Sequence, residues 1–190
     1  MVRESSRQSI IEAATALMSS GGPEALTASA LAEAAGVSKA TLFHHFKSLD
    51  DIVLEAFEQF IMALPSIGGD APASLREWLL ALGSDTTAAV GDAPRLSRAY
   101  FAFVSRAQSD ERLRRRLAEI IEAVVLAFES SLAGYRPAST PERRTALANL
   151  VLIAGDGLAI HRGLFPERSQ SQEAAWRAFV DLVAPQGEDT

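Results

Sequence analysis

The stretch Leu26 to Phe46, LTASALAEAAGVSKATLFHHF, constrains this chain more than any other. Two short helical patterns flank Gly36-Val37-Ser38. The spacing predicts a helix capped by Thr27 that buries Leu31 and Ala34 and stops at Gly36. A further helix follows over about Lys39 to Phe46, capped by Ser38. Two helices joined by a tight glycine turn form the layout of a helix-turn-helix, which sets its second helix in the major groove of DNA. Ala32 and Ala35 provide small packing positions, Gly36 accepts a positive φ without a Cβ penalty, and Val37 is an apolar plug. Leu42 and Phe46, four residues apart, point back to the core. Lys39, Thr41, Phe43, His44, His45 and Lys47 are left available for DNA, and the free amides behind Ser38 suit a phosphate. A plain helical hairpin shares the glycine turn but does not call for the full set of caps and core positions.

The rest of the chain reads as all-α, with about nine helices in total. No run alternates with period two, and β-branched residues do not cluster between turn signals. A first helix is predicted over about Glu4 to Ser19, ended by Gly21-Gly22-Pro23. Ser48 starts a fourth, which carries Ile52, Leu54, Phe57, Phe60 and Ile61 and ends before Pro65. Ser66 to Pro72 reads as a loop. Later helices hold Trp78 and Leu82; Leu96, Tyr100, Phe101 and Val104; and Leu113 to Phe128, the last capped by Ser109. Thr140-Pro141-Glu142 opens a helix to about Gly163. Phe165-Pro166 interrupts it, and Ser171 caps the last. The expected division is a three-helix DNA-binding domain over 1–49 and a helical ligand-binding and dimerisation domain over 50–190.

Composition narrows the function classes. The 190 residues contain no cysteine, so disulfides, thiolate nucleophiles and cysteine-bound zinc are excluded. No stretch approaches the ~20 uninterrupted apolar residues of a membrane span. The longest apolar passage, Leu147 to Leu164, is broken by Asn149, Asp156, His161 and Arg162. The N-terminus lacks the apolar core of a signal peptide, so a cytoplasmic location without membrane association is expected. The net charge of −6 falls entirely beyond residue 49, because Arg3, Arg7, Lys39 and Lys47 balance Glu4, Glu12, Glu24 and Glu33. Phosphate attraction depends on the local field, and both lysines of the chain flank the recognition helix.

Arg7 to Phe57 closely resembles the N-terminal domain of the TetR family of bacterial regulators. The residues carrying the likeness are Ile10 to Ala14, Gly21-Gly22, Thr27, Leu31 to Ser38, Thr41 to Phe46 and Asp50-Asp51. The resemblance implies a homodimer that binds DNA through three helices and part of a fourth, with a divergent helical domain for a small-molecule effector. By the same likeness, Ser38, Thr41 and His45 meet the DNA backbone, Lys39, Ala40 and His44 meet bases or adjoining phosphates, and the Thr27 cap meets phosphate. Two positions depart from the family pattern. Phe43 replaces the usual Tyr, removing a hydroxyl contact, and Leu49 replaces a phosphate-holding Lys that Lys47 partly supplants. His44 and His45, adjacent on a helix, diverge by about 100° and make a poor chelate, so no metal is expected.

Two C-terminal helices are apolar on more than one face. Leu150, Ile153, Gly157, Ile160, Trp176, Phe179, Val180 and Val183 are the dimer-interface candidates, against the alternative of a central helix buried within one subunit. Phe57, Phe60, Trp78, Tyr100, Phe101, Phe128 and His161 are the ligand-pocket candidates, although aromatics so spread also make ordinary core. The arginine run Arg112, Arg114, Arg115 and Arg116 reads as a solvated face paired with Asp110, Glu111, Glu119 and Glu122. Catalysis needs convergent acids, bases or nucleophiles; with two of three histidines in the DNA motif, neither an enzyme nor a cofactor is expected. The expected function is a sequence-specific, ligand-released repressor on a pseudo-palindromic operator. A helical protein-interaction adaptor with lost DNA binding is the alternative that Phe43 and Leu49 keep open.

Overall fold

The computed structural model describes residues 2–21, 25–62, 72–91, 101 and 104–185. Among them the regular elements are all helical, as the sequence predicts. They are α1 (Val2–Gly21), α2 (Ala28–Ala34), α3 (Lys39–His45), α4 (Leu49–Met62), α5 (Leu75–Gly91), α6 (Glu111–Tyr135) and α7 (Pro141–Leu164). A 3-10 turn (Pro166–Arg168) and α8 (Ser169–Val183) complete the series, and Val104 to Ala107 are also helical. The expected breaks at Gly22-Pro23 and Asp92 to Pro94, most of the Ser66–Pro72 loop, the helix positions Leu96 and Tyr100, and the tail beyond Pro185 lie outside the described residues.

The chain forms two compact units. The first comprises Met1–Phe60 with Asp92–Leu117. In it α1 packs on α2 and α3, and α2 packs on α3. Its buried residues include Ile10, Ile11, Ala14 and Met18 from α1, Leu31 and Ala32 from α2, Leu42 and Phe46 around α3, and Ile52, Leu54 and Phe57 from α4. Ala34, expected inside, is exposed, whereas Ala32, expected as a small packing position, is buried and Ala35 partly so. The reason is the turn, in which Val37 donates back to the Ala32 carbonyl and folds the chain over that side of α2.

The second unit comprises Ile61–Gly91 with Ala118–Thr190. Its core joins Trp78, Leu79 and Leu82 of α5, Val124, Phe128 and Leu132 of α6, Ala148, Val151 and Leu158 of α7, and Trp176 and Val180 of α8. Each Val, Leu or Phe among them contributes about 1.5–3 kcal/mol on full burial. Polar groups tie the helices where apolar packing leaves backbone acceptors. The Trp176 indole donates to the Leu79 carbonyl at 2.9 Å, and buried Arg162 donates to the Gly83 carbonyl and to Glu173 at 3.1 Å. By length and composition alone α7 suits a membrane crossing. Here, however, Ala148, Val151 and Leu158 pack in the core, and Arg162 is bonded within the unit.

Two caps differ from the sequence reading. Helix α6 is capped by Asp110, whose Oδ1 accepts from the Arg112 and Leu113 amides at 3.0 and 3.1 Å, while Ser109 Oγ donates to the Arg106 carbonyl. A carboxylate serves the positive helix end better than a hydroxyl. Helix α8 begins at Ser169, before Ser171, and has no side-chain cap. Ser169 already has φ −51° and ψ −43° on leaving the 3-10 turn, so there is no extended residue from which to cap. Thr140 does cap α7, accepting from the Arg143 amide at 3.3 Å.

Candidate nucleic-acid interface

The turn between α2 and α3 is closed by two backbone bonds. Gly36 donates to Glu33 at 3.1 Å and Val37 to Ala32 at 2.9 Å, a Schellman arrangement with glycine at its left-handed position. Gly36 has φ +65°, and a Cβ there would meet nothing within 4 Å. The glycine is therefore needed for backbone conformation and not for space. Gly36→Ala should cost about 1 kcal/mol in chemical denaturation, and a β-branched replacement more. A Gly36→Ala protein as stable as wild type would contradict this.

Helix α3 then starts from a double cap. Ser38 Oγ accepts from the Thr41 amide at 3.0 Å and lies 2.9 Å from Thr41 Oγ1. Leu42 is fully buried and Phe46 nearly so, which fixes the rotation of the helix. The opposite side carries the nominated residues: Ser38, Lys39, Ala40, Phe43, His44 and Lys47 are exposed, and Thr41 and His45 are partly so. Thr27, also exposed, caps α2 by accepting from the Ala30 amide at 3.2 Å. Phe43 is 48% exposed on a seven-residue helix, an apolar ring held out where the core does not need it. The rings of His44 and His45 stand 5.5 Å apart at 72°, and no cluster able to hold a metal occurs among the described residues.

Helix α4 begins immediately beyond this surface. Ser48 Oγ accepts from the Asp51 amide at 3.2 Å and donates to the Asp51 carboxylate at 2.7 Å. Arg106 grips Asp50 with two bonds of 3.3 and 3.0 Å. Arg112 reaches Asp51 at 3.3 Å and Ser48 Oγ at 3.2 Å. Arg116 meets Glu58 at 3.4 Å, and Arg7 pairs with Glu55 while its guanidinium lies 4.9 Å over the Phe46 ring. The arginine run thus corrects the sequence reading. Arg114 and Arg115 do pair along α6 with Glu111, but Arg112 and Arg116 turn to α4. Sequence reasoning missed these partners because nothing local signals a contact 58 or 61 residues away.

The ligand candidates are divided between the two units. Trp78 and Phe128 meet edge to face, with centroids 5.3 Å apart at 88°, in the core of the second unit. Phe57 and Phe101 belong to the first unit, and His161 is exposed. Tyr100 and the Phe60 side chain lie outside the described residues. An open crevice of about 660 Å³ in the second unit is lined by Ser74, Tyr135, Arg136, Ser139 and Arg143 among others, and by none of the nominated residues. Of the dimer candidates, Leu150, Ile153 and Ile160 are exposed at 48%, 69% and 38%. Gly157, Phe179 and Val183 are partly exposed, whereas Trp176 and Val180 are buried in the core of their own unit.

A family model described as bacterial regulatory proteins of the tetR family matches residues 10–56, and one described as the C-terminal region of BetI-type transcriptional repressors matches residues 75–185. The HTH-type transcriptional regulator BetI of Rhizobium meliloti (strain 1021) is 29% identical over 161 residues, which cover 83% of this chain and 78% of that protein. A transcriptional regulator from Rhodococcus sp. Rha1 superposes with a TM-score of 0.70 at 22% identity, covering 97% of this chain and 98% of the other. The Bacillus subtilis regulator FadR, solved in complex with stearoyl-CoA, gives 0.67 at 18% identity, covering 94% and 98%. These two structures speak for the fold.

Proposed function

The chain belongs to the TetR family of bacterial regulatory proteins, DNA-binding regulators of transcription, and within that family we propose that it is a cytoplasmic, ligand-released repressor working as a homodimer on a pseudo-palindromic operator. Residues 1–49 are the DNA-binding domain and residues 50–190 the effector and dimerisation domain. The observation that carries the reading is the Ser38-capped α3, buried along Leu42 and open along Lys39, Ala40, Phe43 and His44. Its open amino-terminal end has the shape and chemistry to enter a major groove.

The homodimer is supported by α7. Leu150, Ile153, Ile160 and Leu164 are exposed at 48%, 69%, 38% and 66% and recur along one side of the helix. Such a contiguous apolar strip asks for a partner, and a second copy related by a two-fold axis matches two operator half-sites. Leu150, Ile153, Gly157 and Ile160 form its centre, with Phe179 and Val183 of α8 beside them. A small-molecule effector in the C-terminal domain acts by favouring a conformer whose recognition helices no longer fit successive grooves. That requires a difference in binding free energy between conformers of typically ~1–3 kcal/mol.

Selection of bound sequences from random duplex DNA tests the proposal. The expected result is an inverted repeat with half-sites roughly one helical turn, or a multiple, apart. A selected duplex bound no better than random DNA would defeat it. Lys47→Ala should weaken binding to all duplexes and flatten the log–log salt dependence by roughly one unit. An unchanged slope would remove Lys47 from the phosphate contacts.

A further inference from the structure

The first turn of α4 presents an electrostatic conflict. Asp50 and Asp51 suit the amino-terminal end of a helix, where negative charge is stabilising. They also follow the recognition helix directly, with only Phe46 to Leu49 between, and Lys47 and Ser48 in that link are solvent-accessible. The two carboxylates follow Lys47 by only three and four residues, and they repel any phosphate that comes within about one Debye length (~10 Å at 0.1 M salt). Arg106 and Arg112, supplied from a distant part of the chain, sit on these two aspartates at 3.0 and 3.3 Å. Arg112 also contacts Asp50 at 3.8 Å. Their side chains are 54% and 51% exposed. Ion pairs this open add little to stability, so folding energy is a poor reason for two of them at one helix end. Their effect on the surrounding field does not depend on that energy.

We propose that Arg106 and Arg112 are determinants of DNA affinity that act by cancelling the Asp50 and Asp51 charges beside the duplex. The proposal rests on the DNA-binding reading above and adds to it two residues far outside the helix-turn-helix. With both guanidiniums in place the start of α4 is neutral and Lys47 governs the local field. Without them the same surface carries two uncompensated negative charges next to its single lysine. The role is sequence-independent, because a screened charge acts on every phosphate alike.

The test is a charge-cancellation series in the full-length protein: Arg106→Ala, Arg112→Ala, the double replacement, and the double replacement combined with Asp50→Asn and Asp51→Asn. Affinity is measured on a duplex recovered by selection and on a scrambled duplex, across a range of salt concentrations. Helix content and thermal unfolding are measured alongside. The expected result is about a tenfold loss in the double arginine variant at ~0.1 M salt on both duplexes, shrinking as salt rises. The added asparagines should restore affinity to within about threefold of wild type. Loss without that rescue, in proteins that unfold like wild type, would mean that the arginines touch phosphate directly and would overturn the cancellation. Affinity unchanged in the arginine variants would overturn it as well. A wild-type protein that binds no duplex would instead bring down the DNA-binding reading, and this inference with it.

Discussion

Substituting alanine for Gly83 should lower stability by about 2–4 kcal/mol. Helix propensity alone predicts the opposite, since alanine in place of glycine inside a helix gains about 1 kcal/mol. Packing decides the sign. A Cβ on Gly83 would lie 2.9 Å from Cε2 of Trp176 and closer still to Nε1 and Cδ1 of the same ring. That ring is held in place: Trp176 is 4% exposed, lies against Phe179 with ring centroids 5.0 Å apart at 35°, and donates its indole N–H to the Leu79 carbonyl. Making room costs about 1–3 kcal/mol of overpacking, and losing the buried indole bond costs about 1–3 kcal/mol more. Arg162 donates to the Gly83 carbonyl itself, so any backbone shift of α5 also strains that bond. Urea denaturation followed by tryptophan fluorescence measures the loss. Combining Gly83→Ala with Trp176→Leu should cost less than the sum of the two single replacements, because the second change removes the obstacle created by the first. A Gly83→Ala protein at least as stable as wild type would show that the α5–α8 approach is looser than these positions require.

Gly83 also marks where sequence reading stops. The helix-turn-helix was legible because its signals are local. Thr27 and Ser38 cap helices that begin at the next residue, Gly36 makes the positive-φ turn, and Leu42 and Phe46 face inward at helical spacing. The start of α7 at Thr140-Pro141 was legible for the same reason. Gly83, by contrast, sits mid-helix with nothing in its neighbours to signal a tryptophan 93 residues away. The acid–arginine pairs of α4 are illegible in the same way, since Arg112 and its partner Asp51 stand 61 residues apart. Apolar periodicity, too, cannot distinguish a face buried in its own unit from one awaiting a partner. Trp176 and Ile153 both carry the pattern, yet one is 4% exposed and the other 69%. The aromatic residues nominated for a pocket suffer from the same ambiguity, because Trp78 and Phe128 pack on each other as core residues do.

Asp156→Asn should stabilise the protein at neutral pH and leave it nearly unchanged near pH 4. Asp156 lies in the apolar middle of α7, and burial alone pushes its carboxyl up to about 6. The sign follows from linkage. In the unfolded chain the group ionises near its ordinary value of about 3.9, so between pH 4 and 6 the folded state holds a proton that the unfolded state has released. Folding stability therefore falls as pH rises through that window, and above it the folded protein bears the cost of a partly buried charge. A shift of about two units corresponds to at most about 3 kcal/mol. Asparagine keeps the shape and removes the charge but retains a polar amide, so a gain of about 1–2 kcal/mol at pH 7 is the expected share. Denaturation curves at intervals from pH 4 to 7.5 should show wild-type and variant stabilities close together at the acid end and diverging as pH rises. Parallel curves would mean that folding leaves the Asp156 carboxyl at its ordinary value, and a wild type that gains relative to the variant as Asp156 ionises would mean that the carboxylate has a favourable partner when charged. Helix α7 carries both core residues of the second unit and an exposed apolar strip, so a charge held there at a net cost to folding bears on both faces of the helix.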